Sequence, residues 1–381
     1  MTSWAERVAS SCDEVRAECR WRAPRSFDAT GPSGTLTDSG QRVVSFASND
    51  YLGLASHPAV IDAARQALTR WGAGAGASRL VTGSRPVHHE LERALADAAG
   101  CERAVVFPTG YSTNLGVLTT FGQSGVRICS DERNHASIID GARLAQAEVA
   151  VYPHLDMDAL DAALASAPGP AMVVSDTVFS MDGDVAPVAA MAELCRRHGA
   201  LLVLDEAHGV LGPDPGLDLA GVEALRVGTL SKALGSLGGY VAGPAPFIEL
   251  VENRARSYIF TTAPTPADSA AALAALAIVH SSEGDALRSR LRRYVDMVAP
   301  GHPSPIVPVV LGSEEAALHA AEALLAQGLW VPAIRPPTVA PGTARLRITL
   351  SAGHDQTDVT RLAEALGRLP RLPRVASPVH T

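Results

Sequence analysis

Two apolar runs of strand length in this sequence each end in side chains that could do chemistry. The first run ends at Asp205, and His208 follows three residues later. The second ends at Thr229, with Ser231 and Lys232 just beyond it. In an open parallel sheet such runs are buried on both faces, and ligands bind beyond their carboxyl ends. We therefore expect a carboxylate, an imidazole, two hydroxyls and an amine to meet at one edge of one sheet.

This set of groups matches what pyridoxal phosphate needs from a protein. A lysine beside small hydroxyl residues is a candidate Schiff-base amine. The cofactor also needs an acid at its ring nitrogen and donors around its phosphate. Asp205 would keep the ring nitrogen protonated, His208 would bind the ring oxygen, and Thr229 and Ser231 would reach the phosphate. For any one residue a helix cap or a solvated surface position is the alternative, but five such groups at strand ends favour a binding site.

The elements that must position these groups alternate along the chain. Strand-like runs are predicted at 103–107, 126–130, 148–152, 171–176, 200–205, 225–230 and 238–242. Helical segments are predicted between them near 111–122, 136–146, 156–166 and 187–198. Such βαβ alternation predicts an α/β fold with a largely parallel, doubly wound sheet.

The flanking sequence predicts further parts. A helix at 3–22 and a hairpin at 31–47 precede the sheet. A buried alanine-rich helix at 265–279 follows it, and then strands at 306–311, 329–335 and 344–350 with helices at 314–327 and 356–368. We expect an N-terminal segment at 1–45, a large domain at 46–264, a small α+β domain at 265–369 and a loose tail at 370–381. The first helix carries Trp4, Val8, Val15 and Cys19 on one side, and a partner subunit would cover that side.

The motifs around these groups resemble those of the α-oxoamine synthases, pyridoxal-phosphate enzymes with the aminotransferase fold. The shared motifs are Asp205-Glu-Ala-His208, Thr229-Leu-Ser-Lys232, Ser48-Asn-Asp-Tyr-Leu-Gly-Leu54, Gly76-Ala-Ser-Arg-Leu-Val-Thr-Gly83, Asn134-His-Ala-Ser137, Val178-Phe-Ser-Met-Asp-Gly183 and Arg335-Pro-Pro-Thr-Val339. The resemblance covers nearly the whole chain, in order. It implies a homodimer of aminotransferase-like fold type I, with a mostly parallel seven-stranded sheet. One departure is a shorter loop after His208, with Pro213-Asp-Pro-Gly-Leu-Asp218 in place of the family's glycine-arginine-glycine.

The resemblance also implies roles for single residues around the cofactor. Lys232, Asp205 and His135 would be catalytic; His135 would stack on the pyridine ring, and Ser180 would bind the ring oxygen together with His208. Gly110 and Tyr111 open a helix, whose N-terminal amides favour a phosphate, although a plain strand-to-helix turn explains the same residues. A threonine at 261 or 262 would reach the phosphate held by the other subunit. The predicted cofactor contacts are Gly110, Tyr111, His135, Ser180, Asp205, His208, Thr229, Ser231 and Lys232.

The predicted substrate contacts are Arg20, Asn49, His135, Thr338 and Arg347. Arg345 and Arg347 alternate with Leu346 along a strand and therefore face one side. From the pattern alone they would be two solvated cations. The resemblance makes Arg347 the anchor for the amino-acid carboxylate, points Asn49 at the same group, and places Arg20 and Thr338 against the acyl chain.

The motif from Arg335 to Thr338 resembles the branch of the family that serves biotin synthesis. That branch condenses L-alanine with pimeloyl-CoA, or pimeloyl-acyl carrier protein, with loss of carbon dioxide. The alternatives are an enzyme that uses glycine with an acetyl or succinyl thioester, and a non-catalytic member of the fold. The presence of both Lys232 and Asp205 argues against the last of these.

Composition narrows the class of protein. The net charge of −8 argues against non-specific binding to nucleic acid or to an anionic membrane. The five cysteines form no Cys-x-x-Cys pair, and the N-terminus has no apolar signal region, so we expect a cytoplasmic protein. No metal is expected, because His89-Glu90 is followed by Arg93 where a zinc protease has a second histidine. The glycines at 72–76 do not have the spacing of a dinucleotide-binding loop.

Overall fold

The computed structural model describes residues 2–18, 20–211 and 219–369. Cys19, the loop sequence at 213–218 and the predicted tail at 370–381 lie outside the described residues. The chain divides into two compact units. The larger unit holds residues 49–305 and 351–353, and the smaller unit holds the described residues up to 48, residues 306–350 and those from 354 onward.

The N-terminal part of the smaller unit begins with helix α1 (Trp4–Ala17), which Ser3 caps in a reciprocal capping box with Glu6. Strands β1 (Phe27–Ala29), β2 (Ser33–Leu36) and β3 (Gln41–Ser45) follow. β2 and β3 pair in antiparallel fashion, which confirms the predicted hairpin. None of the described side chains of α1 is buried.

The larger unit contains ten more α-helices and seven strands among its described residues. In chain order they are α2 (Pro58–Trp71), α3 (Pro86–Ala99), β4 (Arg103–Phe107), α4 (Gly110–Phe121), β5 (Arg127–Asp131), α5 (Ala136–Leu144), β6 (Glu148–Tyr152), α6 (Met157–Ala165), β7 (Ala171–Asp176), α7 (Val188–His198), β8 (Leu201–Asp205), β9 (Ala224–Thr229), β10 (Gly239–Gly243), α8 (Ala245–Arg254), α9 (Arg256–Ile259) and α10 (Pro266–Val279). Helix α11 (Ser282–Val298) closes this unit. A short 3₁₀ helix (Leu54–Ser56) and a π-helical turn (Arg79–Gly83) lie before β4.

The seven predicted strands form one sheet, in the order β4-β10-β9-β8-β7-β5-β6. The pairs from β9 through β8, β7 and β5 to β6 are parallel, whereas β10 runs antiparallel to both β4 and β9. The carboxyl ends of β5, β7, β8 and β9 therefore share one edge. These are the strand ends that carry most of the predicted site residues.

Both faces of this sheet are buried, as its continuous apolar runs require. Alternate residues of β8 enter two different core clusters: Val203 packs on one face, while Leu202 and Leu204 pack on the other. In β7, Val174 packs in the same cluster as Val203, and Val173 packs in the same cluster as Leu202 and Leu204. Among the described residues, no helix is both long and apolar enough to cross a membrane.

The smaller unit is completed by β11 (Ile306–Gly312), α12 (Glu314–Leu325), β12 (Leu329–Trp330), β13 (Ala333–Ile334), β14 (Ala344–Thr349) and α13 (Gln356–Gly367). Its strands form two small sheets, ordered β1-β2-β3-β12 and β11-β14-β13. One predicted strand at 329–335 is therefore wrong. Pro332 divides it into β12 and β13, because proline has no N–H to donate to a sheet ladder.

Two predicted domain boundaries are corrected by the structure. The chain leaves the larger unit after residue 305, not after 264, because α10 packs against α2 and α3 of that unit. An alanine-rich helix that is apolar all round needs neighbours on several sides, and these two helices supply them. Residues 1–45 are not a separate segment either, since β3 pairs in parallel with β12 in the smaller unit.

Candidate active site

Lys232 lies just beyond β9, and its amine contacts an imidazole. Its Nζ is 2.8 Å from His208 Nε2. The other ring nitrogen of His208, Nδ1, lies 2.5 Å from the hydroxyl of Tyr51, and that hydroxyl donates to Asn49 Oδ1 at 3.2 Å. Two predicted cofactor residues and one predicted substrate residue are thus joined through Tyr51, which was not predicted.

Lys232 is also the only lysine in the chain; every other of the 32 Lys and Arg residues is arginine. Arginine serves for surface charge and carboxylate binding, but its guanidinium keeps its proton and cannot act as a nucleophilic amine. The single exception is the residue predicted to supply the Schiff-base amine. A single lysine among 32 Lys and Arg residues is visible in the sequence, but the prediction of the site did not use it.

Asp205 ends β8 and is buried, with 5% of its surface exposed. Its Oδ2 accepts from Asn114 Nδ2 at 2.7 Å, and its Oδ1 accepts from the Ala207 amide at 2.9 Å. These two bonds hold a buried carboxylate at the sheet edge, where it can face a cationic ring nitrogen. Asn114 was not predicted; its one signal is a polar side chain on the buried face of α4.

His135 caps the N-terminus of α5 and is tied to Asp205 through two side chains. Its Nδ1 accepts from the Ser137 amide at 3.2 Å and lies 2.7 Å from Ser137 Oγ, which in turn accepts from Asn114 Nδ2 at 2.8 Å. Burial lowers the pKa of His135; the charge of Asp205 opposes this shift, and the charge of Lys232 adds to it. A neutral ring whose Nδ1 accepts hydrogen bonds carries its proton on Nε2, so His135 can donate from Nε2.

Asp176 is a second buried carboxylate that was not predicted. It ends β7, beside Asp205 at the end of β8, and it accepts from the His135 amide at 2.7 Å. Burial raises the pKa of Asp176, and the charge of Asp205 raises it further. The sequence carries the same signal for Asp176 as for Asp205, because each of these carboxylates ends an apolar run of strand length.

The predicted phosphate side is assembled from α4 and the end of β9. Thr109 caps α4, and Gly110 and Tyr111 begin the helix, where amides point outward. A Cβ added at Gly110 would lie 3.4 Å from Thr229 Cβ, so this turn packs against β9. Thr229 Oγ1 lies 2.7 Å from Ser231 Oγ. Hydroxyls and helix amides thus converge as a phosphate site requires.

Ser180 lies in a loop after β7 that the bridge between Val178 and Val185 closes, and it is half-buried. Tyr111 donates its hydroxyl to Asp140 of α5, so its side chain leans toward that helix.

Three predicted substrate residues lie in the smaller unit. Arg20 and Thr338 line a cavity of about 190 Å³ together with Arg22 and Arg335. Arg22 Nη2 donates to Thr338 Oγ1 at 3.2 Å. Arg347 is 6% exposed and donates to Thr349 Oγ1 at 2.9 Å. The pattern alone predicted two solvated arginines on β14. That interpretation is wrong, because Arg345 is as buried as Arg347.

A larger cavity of about 740 Å³ in the larger unit shares His208 and Thr229 with these clusters. Its lining does not include Lys232, Asp205 or His135. It borders the predicted site without enclosing the groups that would do the chemistry.

Residues 41–366 match the family described as aminotransferase class I and II. The chain belongs to this family. An 8-amino-7-oxononanoate synthase from Burkholderia thailandensis (strain E264) is 48% identical over 368 residues, which are 91% of this chain and 93% of the relative. The enzyme of that name from Burkholderia mallei (strain SAVP1) is 49% identical over 376 residues, 93% and 95% of the two chains. These relatives confirm the resemblance stated from the motifs.

Three solved structures also resemble this chain in fold. A serine palmitoyltransferase from Sphingomonas wittichii superposes with a TM-score of 0.87 at 30% identity, covering 96% of this chain and 97% of that one. A serine palmitoyltransferase structure with pyridoxal phosphate gives a TM-score of 0.86 at 30% identity, with coverage of 94% and 95%. An 8-amino-7-oxononanoate synthase from Francisella tularensis shares the fold, with a TM-score of 0.70 at 24% identity and coverage of 85% and 96%. The predicted fold class is confirmed.

Proposed function

We propose that this chain condenses L-alanine with a pimeloyl thioester to give 8-amino-7-oxononanoate, carbon dioxide and the free thiol, with pyridoxal phosphate as cofactor. The predicted enzyme class and cofactor are confirmed by the relatives and by the fold. The observation that carries the proposal is the position of the chain's only lysine, 2.8 Å from His208 at the sheet edge where Asp205 is buried.

The donor set fits the cofactor. When bound, pyridoxal phosphate supplies an aldehyde carbon and a ring that accepts electrons from the substrate's α-carbon. Lys232 would hold it through the amine, and Asp205 would face its ring nitrogen with the orientation that Asn114 and Ala207 impose. The N-terminus of α4 with Thr229 and Ser231 would take its phosphate.

The same residues can move the protons of the reaction. The Lys232 amine, once free, is the base for the α-proton of alanine, and His208 Nε2 lies within reach to accept a proton from Nζ. His135 keeps a proton on Nε2 and can donate it toward the thioester carbonyl as negative charge develops there. Its lowered pKa favours the neutral ring that this role needs.

The arginines of the smaller unit support the choice of substrates. Both substrates carry a carboxylate, since alanine has one at the reacting end and a pimeloyl chain has one at its far end. The buried guanidinium of Arg347 suits the first. The cavity lined by Arg20, Arg22, Arg335 and Thr338 suits the second. An acetyl group offers nothing for such a cavity to bind.

The test is thiol release from pimeloyl-CoA in the presence of L-alanine, with the product identified by mass. Glycine, serine, acetyl-CoA, succinyl-CoA and pimeloyl-acyl carrier protein complete the panel. We expect alanine with a pimeloyl donor to give the highest kcat/KM. A preference for glycine with acetyl-CoA would replace this proposal with the ligase-like alternative, and no release with any donor would refute it.

Lys232→Ala and Lys232→Arg are the matched variants for this test. Both variants should lose the near-visible absorbance of the cofactor-loaded protein, because neither side chain has a nucleophilic amine. The arginine variant retains the positive charge. We expect kcat to fall by about 10²–10⁴-fold or more in both. An arginine variant that keeps the band would contradict the assigned role of Lys232.

A further inference from the structure

His154 lies outside the predicted site and joins two buried or half-buried carboxylates. Its Nδ1 donates to Asp131 Oδ1 at 2.9 Å and its Nε2 donates to Asp184 Oδ2 at 2.7 Å. The His154 side chain is only 9% exposed, and the ring of Phe179 packs edge-on against it. Both ring nitrogens are occupied by protein carboxylates, so neither is left for a substrate or a metal.

The backbone beside His154 is held in an unusual conformation. Leu155 has a φ of 61°, the one left-handed non-glycine residue in the described chain. A leucine in this region is strained and persists only where its surroundings impose it. In this conformation the Leu155 amide donates to Asp131 Oδ2 at 3.0 Å while the His154 ring binds Oδ1. His154 and Leu155 thus bind both oxygens of the Asp131 carboxylate.

Asp131 begins the loop that carries His135. It accepts from the Arg133 amide at 2.8 Å, and Asn134 donates to Ser130 Oγ and to the Val174 carbonyl. His135 follows directly, with its amide bound to Asp176. The position of the His135 ring therefore depends on how firmly Asp131 is held.

Asp184 belongs to the loop that carries Ser180. Its carbonyl accepts from the Phe179 amide at 3.0 Å, and Gly183 donates back to the Phe179 carbonyl at 2.8 Å. Among the residues that the structure describes, Asp184 Oδ1 is buried without a hydrogen-bond partner. The bond from His154 to Oδ2 thus supplies this carboxylate with its charge-assisted contact.

We propose that His154 is a positioning residue, a cationic clamp that fixes the two loops carrying His135 and Ser180 against each other. The proposal rests on the cofactor contacts assigned to these two residues under the proposed function. The clamp needs both N–H groups, because a neutral imidazole can donate to only one of the two carboxylates.

The charge state of His154 gives the clamp a pH dependence. Burial disfavours the charged ring, but the hydrogen bonds to Asp131 and Asp184 outweigh it and raise the pKa of His154 to about 9. The folded pKa exceeds the ordinary value of 6.5, so the stabilisation is complete below about pH 6.5 and is lost as the pH rises through about 9. Asp131 and Asp184 are the charged groups that face the ring, and the ion pair of Arg133 with Asp182 at 3.4 Å links the same two loops.

The experiment measures the affinity of the full-length protein for pyridoxal phosphate by absorbance titration between pH 6.5 and 10. His154→Phe keeps an aromatic ring against Phe179 and removes both hydrogen bonds. His198→Phe is the matched control, since His198 forms a comparable pair with Asp161 at 2.6 Å on α7 and α6, away from these loops. The ratio of the variant Kd to the wild-type Kd at each pH cancels the titration of all other groups.

We expect His154→Phe to raise the Kd at least fivefold at pH 7, and this ratio to approach one above pH 9. His198→Phe should leave the Kd unchanged at every pH. Asp184→Asn, which keeps a hydrogen-bond acceptor but removes the charge, should raise the Kd about threefold and serves as the test if His154→Phe does not fold. A Kd ratio of one at pH 7, or a ratio that does not change with pH, would overturn the clamp.

The clamp can fail separately from the proposed function. Wild-type protein that binds the cofactor and releases thiol while His154→Phe does so equally well would refute the clamp alone. Wild-type protein that binds no cofactor would refute both.

Discussion

The hydrogen-bond chain from Asn49 to Lys232 decides which nitrogen of His208 faces the amine. Because the Tyr51 hydroxyl donates to Asn49, its oxygen accepts from His208 Nδ1, and Nε2 is left as the acceptor for Lys232 Nζ. Tyr51 is fully buried, so no solvent competes for these positions. The Lys232 amine therefore faces a hydrogen-bond acceptor, which does not engage the lone pair on Nζ.

We predict that Tyr51→Phe slows modification of the Lys232 amine about threefold at neutral pH, because the His208 proton can then reside on Nε2 and donate to the lone pair of Nζ. The measurement is the rate of acetylation of the full-length protein, followed by peptide mass spectrometry. Lys232 carries the only side-chain amine, so the signal has no competing site, and the N-terminal amine is an internal standard.

Tyr294→Phe is the control for that measurement, because Tyr294 is a buried tyrosine of α11. It should leave the rate at Lys232 unchanged. Equal rates in wild type and Tyr51→Phe would show that the hydroxyl does not set the orientation of His208.

At the scale of elements, the approach of α4 to the sheet depends on the absence of a side chain at Gly239. A Cβ built at this first residue of β10 would lie 2.5 Å from the Gly110 amide nitrogen. Real Cβ atoms do not come that close, so any side chain at 239 must displace the N-terminus of α4. Under the proposed function, glycine at the start of β10 is what lets the helix amides reach a phosphate near Thr229.

We predict that Gly239→Ala weakens binding of pyridoxal phosphate about tenfold while changing the affinity for pyridoxal, which lacks the phosphate, less than twofold. Both affinities are measured by absorbance titration. Gly243→Ala is the matched variant at the other end of the same strand, where the new Cβ would meet Leu225 Cδ2 at 2.5 Å. It should lower stability and leave the preference for the phosphate ester intact. An equal loss for both ligands in Gly239→Ala would place the phosphate elsewhere.

At the scale of the whole molecule, the larger unit exposes apolar side chains on two adjacent segments. Leu80 and Val81 of the π-helical turn are 58% and 74% exposed, and Phe260 after α9 is 70% exposed. The two segments are joined by the hydrogen bond from the Ala263 amide to the Ala77 carbonyl at 3.0 Å. Exposed apolar side chains on neighbouring segments are candidates for an interaction surface, and a second copy of the chain would cover them in the predicted homodimer.

We predict a mass of twice 39.6 kDa by light scattering. The double variant Val81→Glu with Phe260→Glu should shift the protein to the single-chain mass, because buried unpaired carboxylates oppose association. Val310→Glu, at an exposed apolar position of β11, should leave the mass unchanged. A single-chain mass for the wild type would refute the predicted homodimer.

Local patterns in the sequence were sufficient for a large part of this molecule. The order of strands and helices in the sheet region, and the polar residues at the ends of β8 and β9, follow from apolar runs and the residues that end them. Lys232 and His208 were expected together, and they are in contact. Patterns of this kind reflect burial, which each segment encodes in its own side chains.

The partners of these segments were decided only in the tertiary structure. Asn114 lies 91 positions before Asp205 and Asp176 lies 41 after His135, yet each pair is hydrogen-bonded. α10 packs with the larger unit, and Pro332 sends β12 and β13 to different sheets. One apolar surface looks much like another in the sequence. A segment therefore shows that its apolar face must be buried, but it does not show which other segment buries it. The clamp at His154 has the same origin, since its two carboxylates meet only after β5, β6 and β7 have assembled.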